Sequence, residues 1–555
     1  MSIAFEHTKT EIVLPRRIVF ENQTDEIEKL IGNDQLQPML FVKKWSTIKK
    51  GGRVIIDYGK EMQGGIRPVF GEQKDEDGNF ILAELRVRFG ESIAECLAEL
   101  GEKNAGNYHS MRDFKIQATT NSACVYGATG FRFVCIDNIG QCDAAIRSVP
   151  AVNMLYGGEC KGAFECDDPM LNAIFQTASY TLALCIQNGC IWDGVKRDRS
   201  VWVGDMHPEV LSAFYLYGNI DEIKNSLELC RLSTSPGQWM NGILTYSIWW
   251  MALLHDYIKY TGEMEYAAQS KDCVLQIMKR LDKSFMANGE FDDHCELEKG
   301  RNAVKMFLDW PTNRTPDGEY GVRALMITVI RKVRSLYFED DELARICDSV
   351  LARIAMKNNI VSSYKQVTAM RVLAGLESDN YALERLTVGN AEGMSCFMSY
   401  YILNAVSQLG GVESAVSMAK EYYGGMLKMG ATTFWEDFDV AWMKDTTRLD
   451  ELPKEGQKDI HSNYGRFCYT QLRHSLCHGW STGVIPFLFE NVLGVRVAEN
   501  GFKTVYIKPE NCGLKHIKGR VPTPYGCIEV EHTANEQGGF DTKYTAPEEI
   551  CVMLG

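Results

Sequence analysis

Up to about residue 160 the apolar residues recur at every second position. "GGRVIIDYG", "ELRVRFGES", "DFKIQATTNSACVYG" and "FRFVCIDN" alternate apolar and polar side chains between Gly, Asn and Asp turns. That period predicts antiparallel strands in a sandwich, each sheet with one wet face. Near residue 166 the period changes. "ECDDPMLNAIFQTASYTLALCIQ" offers Asp168 as N-cap and Pro169 at the first helical position, with Met170, Leu171, Ile174, Phe175 and Leu182 at helical spacing. Helical segments separated by short Gly, Asn or Pro breaks then follow one another to about residue 495, among them "SIWWMALLHDYIKYTG" and "YGVRALMITVIRKVRSLY". So many consecutive helices predict stacked hairpins or a helical toroid. After residue 500, "FKTVYIKP" and "HIKGRVPTPYGCIEVEHT" return to alternation. The predicted plan is a multidomain α and β protein: an N-terminal antiparallel β-sandwich over 1–160, a large α domain over 161–497 and a small C-terminal β module over 498–555.

Composition narrows the function. The 555 residues exceed one core, and the length prior of about three or four domains agrees with the pattern. A net charge of −14 argues against nucleic acid or an anionic membrane as partner, since both demand a basic face. No stretch approaches a membrane span, and "MSIAFEHTKTEIVLPRR" lacks the pattern of a secretory signal, so the sequence reads as cytoplasmic. The 18 cysteines then read as reduced thiols. No C-x-x-C, H-E-x-x-H or phosphate-binding loop occurs, and neither metal nor cofactor is expected. The sequence carries no signal for an oligomeric state.

The candidate chemistry lies where acids adjoin aromatics. Nine of the ten tryptophans fall between Trp192 and Trp480, and several flank acids, as in Trp192-Asp193, Asp309-Trp310 and Trp435-Glu436. Aromatic faces beside carboxylates suit a sugar, which presents apolar C–H faces and hydroxyls that need acceptors. Glycoside hydrolysis needs two carboxyl groups, one protonated and one ionised. The acids form two separated clusters: Asp193, Asp198, Asp205 and Glu209 in the first, Glu436, Asp437 and Asp439 in the second. Glu209 reads as a charge complementing a helix N-terminus. "GWSTG", residues 479–483, fits the serine-hydrolase elbow pattern, but no strand-helix alternation surrounds it, so Ser481 reads as a helix-start residue.

"DGVKRDRSVWVGD" resembles the signature of the α-L-rhamnosidases of glycoside hydrolase family 78, D-C-P-x-R-E-K followed by an aromatic residue and G-D. Asp193, Arg197, Gly204 and Asp205 match directly, and Asp198 falls where the family has its general-acid glutamate. Elsewhere "IIDYGKEMQGGI", "GATGFRFVCID", "DDPMLNAIF", "GATTFWEDFD", "HSLCHGWSTGVIPFLFENVLGV" and "PTPYGCIEV" resemble family segments along nearly the whole chain. The resemblance implies an (α/α)6 six-hairpin barrel and inverting hydrolysis of a terminal α-L-rhamnoside, with Asp198 as acid and Glu436 as base. It further implies carbohydrate binding by Asp193, Arg197, Trp202, Asp205, Trp250, Asp309, Trp310, Trp435, His478 and Trp480. Two other readings stay open at this point. Lys196, Arg197 and Arg199 suit an acidic sugar, hence a uronate-linked hydrolase or a lyase, or else simply pair with local acids. The shorter acid at Asp198 also admits a binding protein that has lost turnover.

Overall fold

The computed structural model describes residues 7–38, 46–75, 77–292, 306–313, 315–356, 360–466 and 469–555. Trp45, the tryptophan outside the helical block, lies outside the described residues.

The N-terminal strands belong to one hydrogen-bonded antiparallel network built around the long strand Ser46–Ile66. Its pairing with Tyr126–Asn138 breaks register between Asp57 and Met62, so one strand changes direction within the sheet. Alternation sorts its side chains: Val54 and Ile56 face a core with Val134 and Ile136, while Ile55 joins Phe133 and Cys135 on the opposite side. That second side is not wet. It packs into the same apolar cluster as the helices, because both faces of these central strands are covered.

The helical block begins as its sequence predicts. The Asp168 carboxylate accepts from the Met170 and Leu171 amides at 2.8 and 3.2 Å, and Pro169 opens the helix Pro169–Cys185. Alternate helices then form a closed ring. Met206–Tyr217 packs on Leu244–Thr261, which packs on Pro316–Leu336, then Lys365–Leu373, then Ser399–Gln408; this last meets Val484–Phe487, which returns to Met206–Tyr217. The ring helices explain themselves by composition. Leu244–Thr261 buries residues on all sides, as a helix enclosed by neighbours must, whereas the outer helix Asp341–Ala355 buries only Leu343, Ala344, Cys347, Val350 and Ile354.

Strand Ala163–Cys166 pairs with His516–Thr523, and Val495–Val497 pairs with Thr504–Ile507. Strands just inside both ends of the expected 161–497 segment thus pair with strands of the C-terminal segment. Local periodicity identifies such strands but not their partner hundreds of residues away. None of the described cysteines is in a disulfide, and among the described residues no helix is long and apolar enough to cross a membrane.

Candidate active site

Three irregular segments meet at the mouth of the ring and hold one another by backbone bonds. His478 N donates to Phe434 O at 2.9 Å, Glu436 N to Ser475 O at 3.0 Å, and Gly479 N to Asp193 O at 2.7 Å. The segments near 193–205, 434–439 and 474–480 are thereby fixed side by side, and they line a cleft of about 180 Å³.

Arg197 stands at its centre. Its Nη2 pairs with Glu436 Oε1, and Nη1 lies 3.5 Å from Asp198 Oδ1. Its Nε donates to Arg473 O at 3.1 Å, and the guanidinium lies 3.3 Å from the centre of the Tyr469 ring. Glu436 Oε2 in turn accepts from Ser475 N at 3.0 Å. Both carboxylates of the predicted pair thus contact one fixed, planar cation.

The floor is a set of buried acids. Burial pushes Asp205 up to about 7, although the Tyr246 hydroxyl donates to it at 2.6 Å and favours the ion. Burial and then the neighbouring Asp205 hold Asp193 well above the usual carboxylate range, while its Oδ1 accepts from Ser200 N at 3.0 Å. Burial and then the Arg197 charge keep the His478 imidazole far below its ordinary value, so it is neutral. His478 Nε2 lies 3.9 Å from Glu436 Oε1 and 4.0 Å from Asp193 Oδ2, and its ring rests on Trp480 with centroids 4.2 Å apart. The indole nitrogen of Trp202 is buried without a hydrogen-bond partner, an unspent donor in the cleft wall. Ile243, Phe307, Trp310, Tyr469 and Trp480 supply apolar walls.

The structure thus gathers Asp193, Arg197, Asp198, Trp202, Asp205, Trp310, Glu436, His478 and Trp480 around one cleft. Asp309 lines an adjoining lobe with Asp437 and Arg466, sharing the Trp310, Glu436 and Trp480 walls. There its carboxylate accepts from Ser395 Oγ, and burial pushes it up to about 7. Two tryptophans expected as walls lie elsewhere. Trp250 is fully buried in a ring helix and donates to Leu227 O at 3.2 Å. Trp435 is also fully buried and packs edge-on against Phe438, while its neighbour Glu436 lines the cleft.

Other expectations change as well. Lys196 is clamped by Glu91 and Glu95, each at 3.1 Å, and by the carbonyls of Leu472 and His474. Glu91, Glu95 and His461 converge closely enough for a metal ion, but the Lys196 ammonium supplies the charge there. Arg199 donates to Ala128 O at 2.8 Å. Neither cation lines the cleft; of the three bases only Arg197 does. Glu209 lies in the first turn of Met206–Tyr217, as expected, but it is fully buried, both carboxylate oxygens lack a partner, and burial pushes it well above the usual carboxylate range. Ser481 lies in the 3₁₀ turn Gly479–Gly483 and donates to Trp435 O; no strand leads into it. Sequence reasoning missed Tyr246, Phe307, Ile243 and Tyr469, which have no motif, and His109, which reaches Asp198 from the N-terminal β domain at 3.2 Å.

Comparison with known proteins finds two matching domains and several similar folds. Residues 159–251 match the bacterial alpha-L-rhamnosidase 6 hairpin glycosidase domain, and residues 494–554 the bacterial alpha-L-rhamnosidase C-terminal domain. No curated protein matches the chain. Among solved structures, the GH78 family rhamnosidase of Bacillus sp. GL1 is 19% identical with a TM-score of 0.70, covering 95% of this chain and 55% of its own. The rhamnosidase from Klebsiella oxytoca with rhamnose bound is 18% identical with a TM-score of 0.66, covering 87% of this chain and 95% of its own. The Streptomyces avermitilis alpha-L-rhamnosidase complexed with L-rhamnose is 16% identical with a TM-score of 0.71, covering all of this chain and 50% of its own. The chain therefore spans about half the length of the Bacillus and Streptomyces proteins. At these identities the structural likeness is one of fold, while the two matched domains begin within a few residues of strands Ala163–Cys166 and Val495–Val497. In those two domains, and in the fold that joins them, the chain is similar to the bacterial α-L-rhamnosidases.

Proposed function

We propose that the chain hydrolyses a terminal α-L-rhamnoside with inversion of configuration, in an (α/α)6 barrel whose mouth is the cleft described above. The observation that carries this reading is Arg197 in contact with both Asp198 and Glu436 at one apolar-walled pocket. Glu436 takes a proton from water as the water oxygen attacks the anomeric carbon. Asp198 gives a proton to the glycosidic oxygen as its bond to that carbon breaks. Inversion requires room for the water, which means carboxyl groups roughly 6.5–9.5 Å apart. Asp193, Asp205 and neutral His478 exchange hydrogen bonds with sugar hydroxyls, Trp202 Nε1 donates another, and Trp310 and Trp480 take the apolar ring face. That the Klebsiella and Streptomyces relatives hold rhamnose supports this choice of sugar. Asp198 sits on a left-handed backbone turn, φ 50°, which aims a side chain one methylene shorter than the family's glutamate.

The test is p-nitrophenyl α-L-rhamnoside with wild type, Asp198→Asn and Glu436→Gln, following the first-formed anomer by NMR. Each substitution lowers kcat by about 10²–10⁴-fold, and the wild-type product appears first as the β anomer. A wild type inert on rhamnosides but active on another glycoside refutes the sugar assignment. Retention of configuration refutes the mechanism.

A further inference from the structure

We propose that His109, on a loop of the N-terminal β domain, is a positioning residue that holds and reloads Asp198 for protonation of the leaving group. The inference rests on the reading of Asp198 as the acid. His109 Nε2 lies 3.2 Å from Asp198 Oδ1, on a carboxylate whose other charged contact is Arg197 at 3.5 Å. Three non-glycine residues meet there in the left-handed conformation: Asp198 at φ 50°, Arg199 at φ 55° and His109 at φ 61°. Strain of that kind persists only where the surroundings impose it. Here they do. Ser110 Oγ donates to Lys196 O at 3.0 Å and hydrogen-bonds Thr129 Oγ1 at 2.7 Å, while Arg199 donates to Ala128 O at 2.8 Å. Two strained loops from different parts of the chain are thus bolted together on either side of the imidazole–carboxylate contact.

Proton accounting gives the contact a purpose. In an inverting turnover the base gains a proton from water and the acid loses one to the departing oxygen, so the acid must regain a proton from outside before the next turnover. The Asp198 side chain is 15% exposed and that of His109 41%. The imidazole therefore meets bulk water on one side and the acid on the other. It takes a proton from solvent and returns it to the carboxylate, and it fixes the rotamer from which the short side chain reaches the glycosidic oxygen.

The experiment is kcat/KM across aryl α-L-rhamnosides, from 2,4-dinitrophenyl to 4-methoxyphenyl, for wild type, His109→Ala and His109→Gln, with thermal midpoints recorded alongside. A departing dinitrophenolate needs little protonation, and a methoxyphenolate needs much. The loss in His109→Ala therefore grows along the series, from about 3-fold to 30-fold or more, with the same trend in Asp198→Asn. His109→Gln, which keeps a donor, recovers part of it. An active wild type whose His109 variants lose the same factor on every substrate, or lose nothing, overturns the role of His109 alone. A wild type inert across the whole series overturns the functional reading itself, and this inference with it.

Discussion

At the scale of single residues the cleft is governed by how burial and local donors divide protons among neighbouring acids. Asp205 shows the balance: burial raises it to about 7 against the pull of the Tyr246 hydroxyl. Removing that donor favours the neutral acid further. In Tyr246→Phe the acidic limb of kcat/KM moves to higher pH by roughly one pH unit, the size expected for one hydrogen bond to a charged group. A pH profile identical to wild type means that Asp205 is not required as the ion. Tyr246 itself was illegible in the sequence, being one more aromatic in an apolar helix, whereas Asp205 stood in a motif. The same contrast holds for tryptophan. Trp310 and Trp435 each stand beside an acid in the sequence, yet Trp310 lines the cleft and Trp435 does not, because adjacency to an acid says nothing about which way an indole turns.

At the scale of elements, the space between the turn Gly479–Gly483 and the helix Met206–Tyr217 is filled at Gly479 by the Glu209 carboxyl. A Cβ on Gly479 would lie 2.4 Å from Glu209 Cδ and 2.6 Å from its oxygens. The turn carries His478 and Trp480 at its start, so its distance from the helix sets the depth of the cleft. Gly479→Ala destabilises the protein by about 1–3 kcal/mol through overpacking, read by urea unfolding, and lowers activity. Glu209→Ala made together with it vacates the space, so the double variant is more stable than the sum of the two single effects. Strict additivity would place the relief of the clash elsewhere. The elements were the most legible level of all, since period two and period 3.6 mark strands and helices wherever a face is buried. Their long-range pairing was not: nothing near Ala163 announces Arg520, and nothing near Glu91 announces the Ser475 hydroxyl and Leu476 amide that it binds.

At the scale of the whole molecule, the formal charge of −14 overstates what the cleft presents. Burial lifts several of its acids above the usual carboxylate range, Asp205 and Asp309 to about 7, which suits a neutral, hydroxyl-rich partner better than the raw count suggests. This arrangement links stability to pH with a definite sign. Asp309 has a folded value of about 7, above its model-peptide value of 3.8, and burial is the principal cause. The folded state therefore binds that proton more tightly than the unfolded chain. Its stabilising contribution is complete below about pH 4 and disappears as pH rises through 7. Buried histidines such as His478 act in the opposite sense, losing stability as pH falls below 6.5, so the net wild-type curve mixes both. Substitution separates them. Asp309→Asn keeps an oxygen to accept from Trp310 N, a bond of 2.8 Å in the wild type, and has no proton to release. Compared with wild type, its thermal midpoint rises progressively between pH 5 and pH 8, because only the wild type must ionise a buried acid over that interval. A constant difference between the two proteins across the range would show that Asp309 does not titrate there.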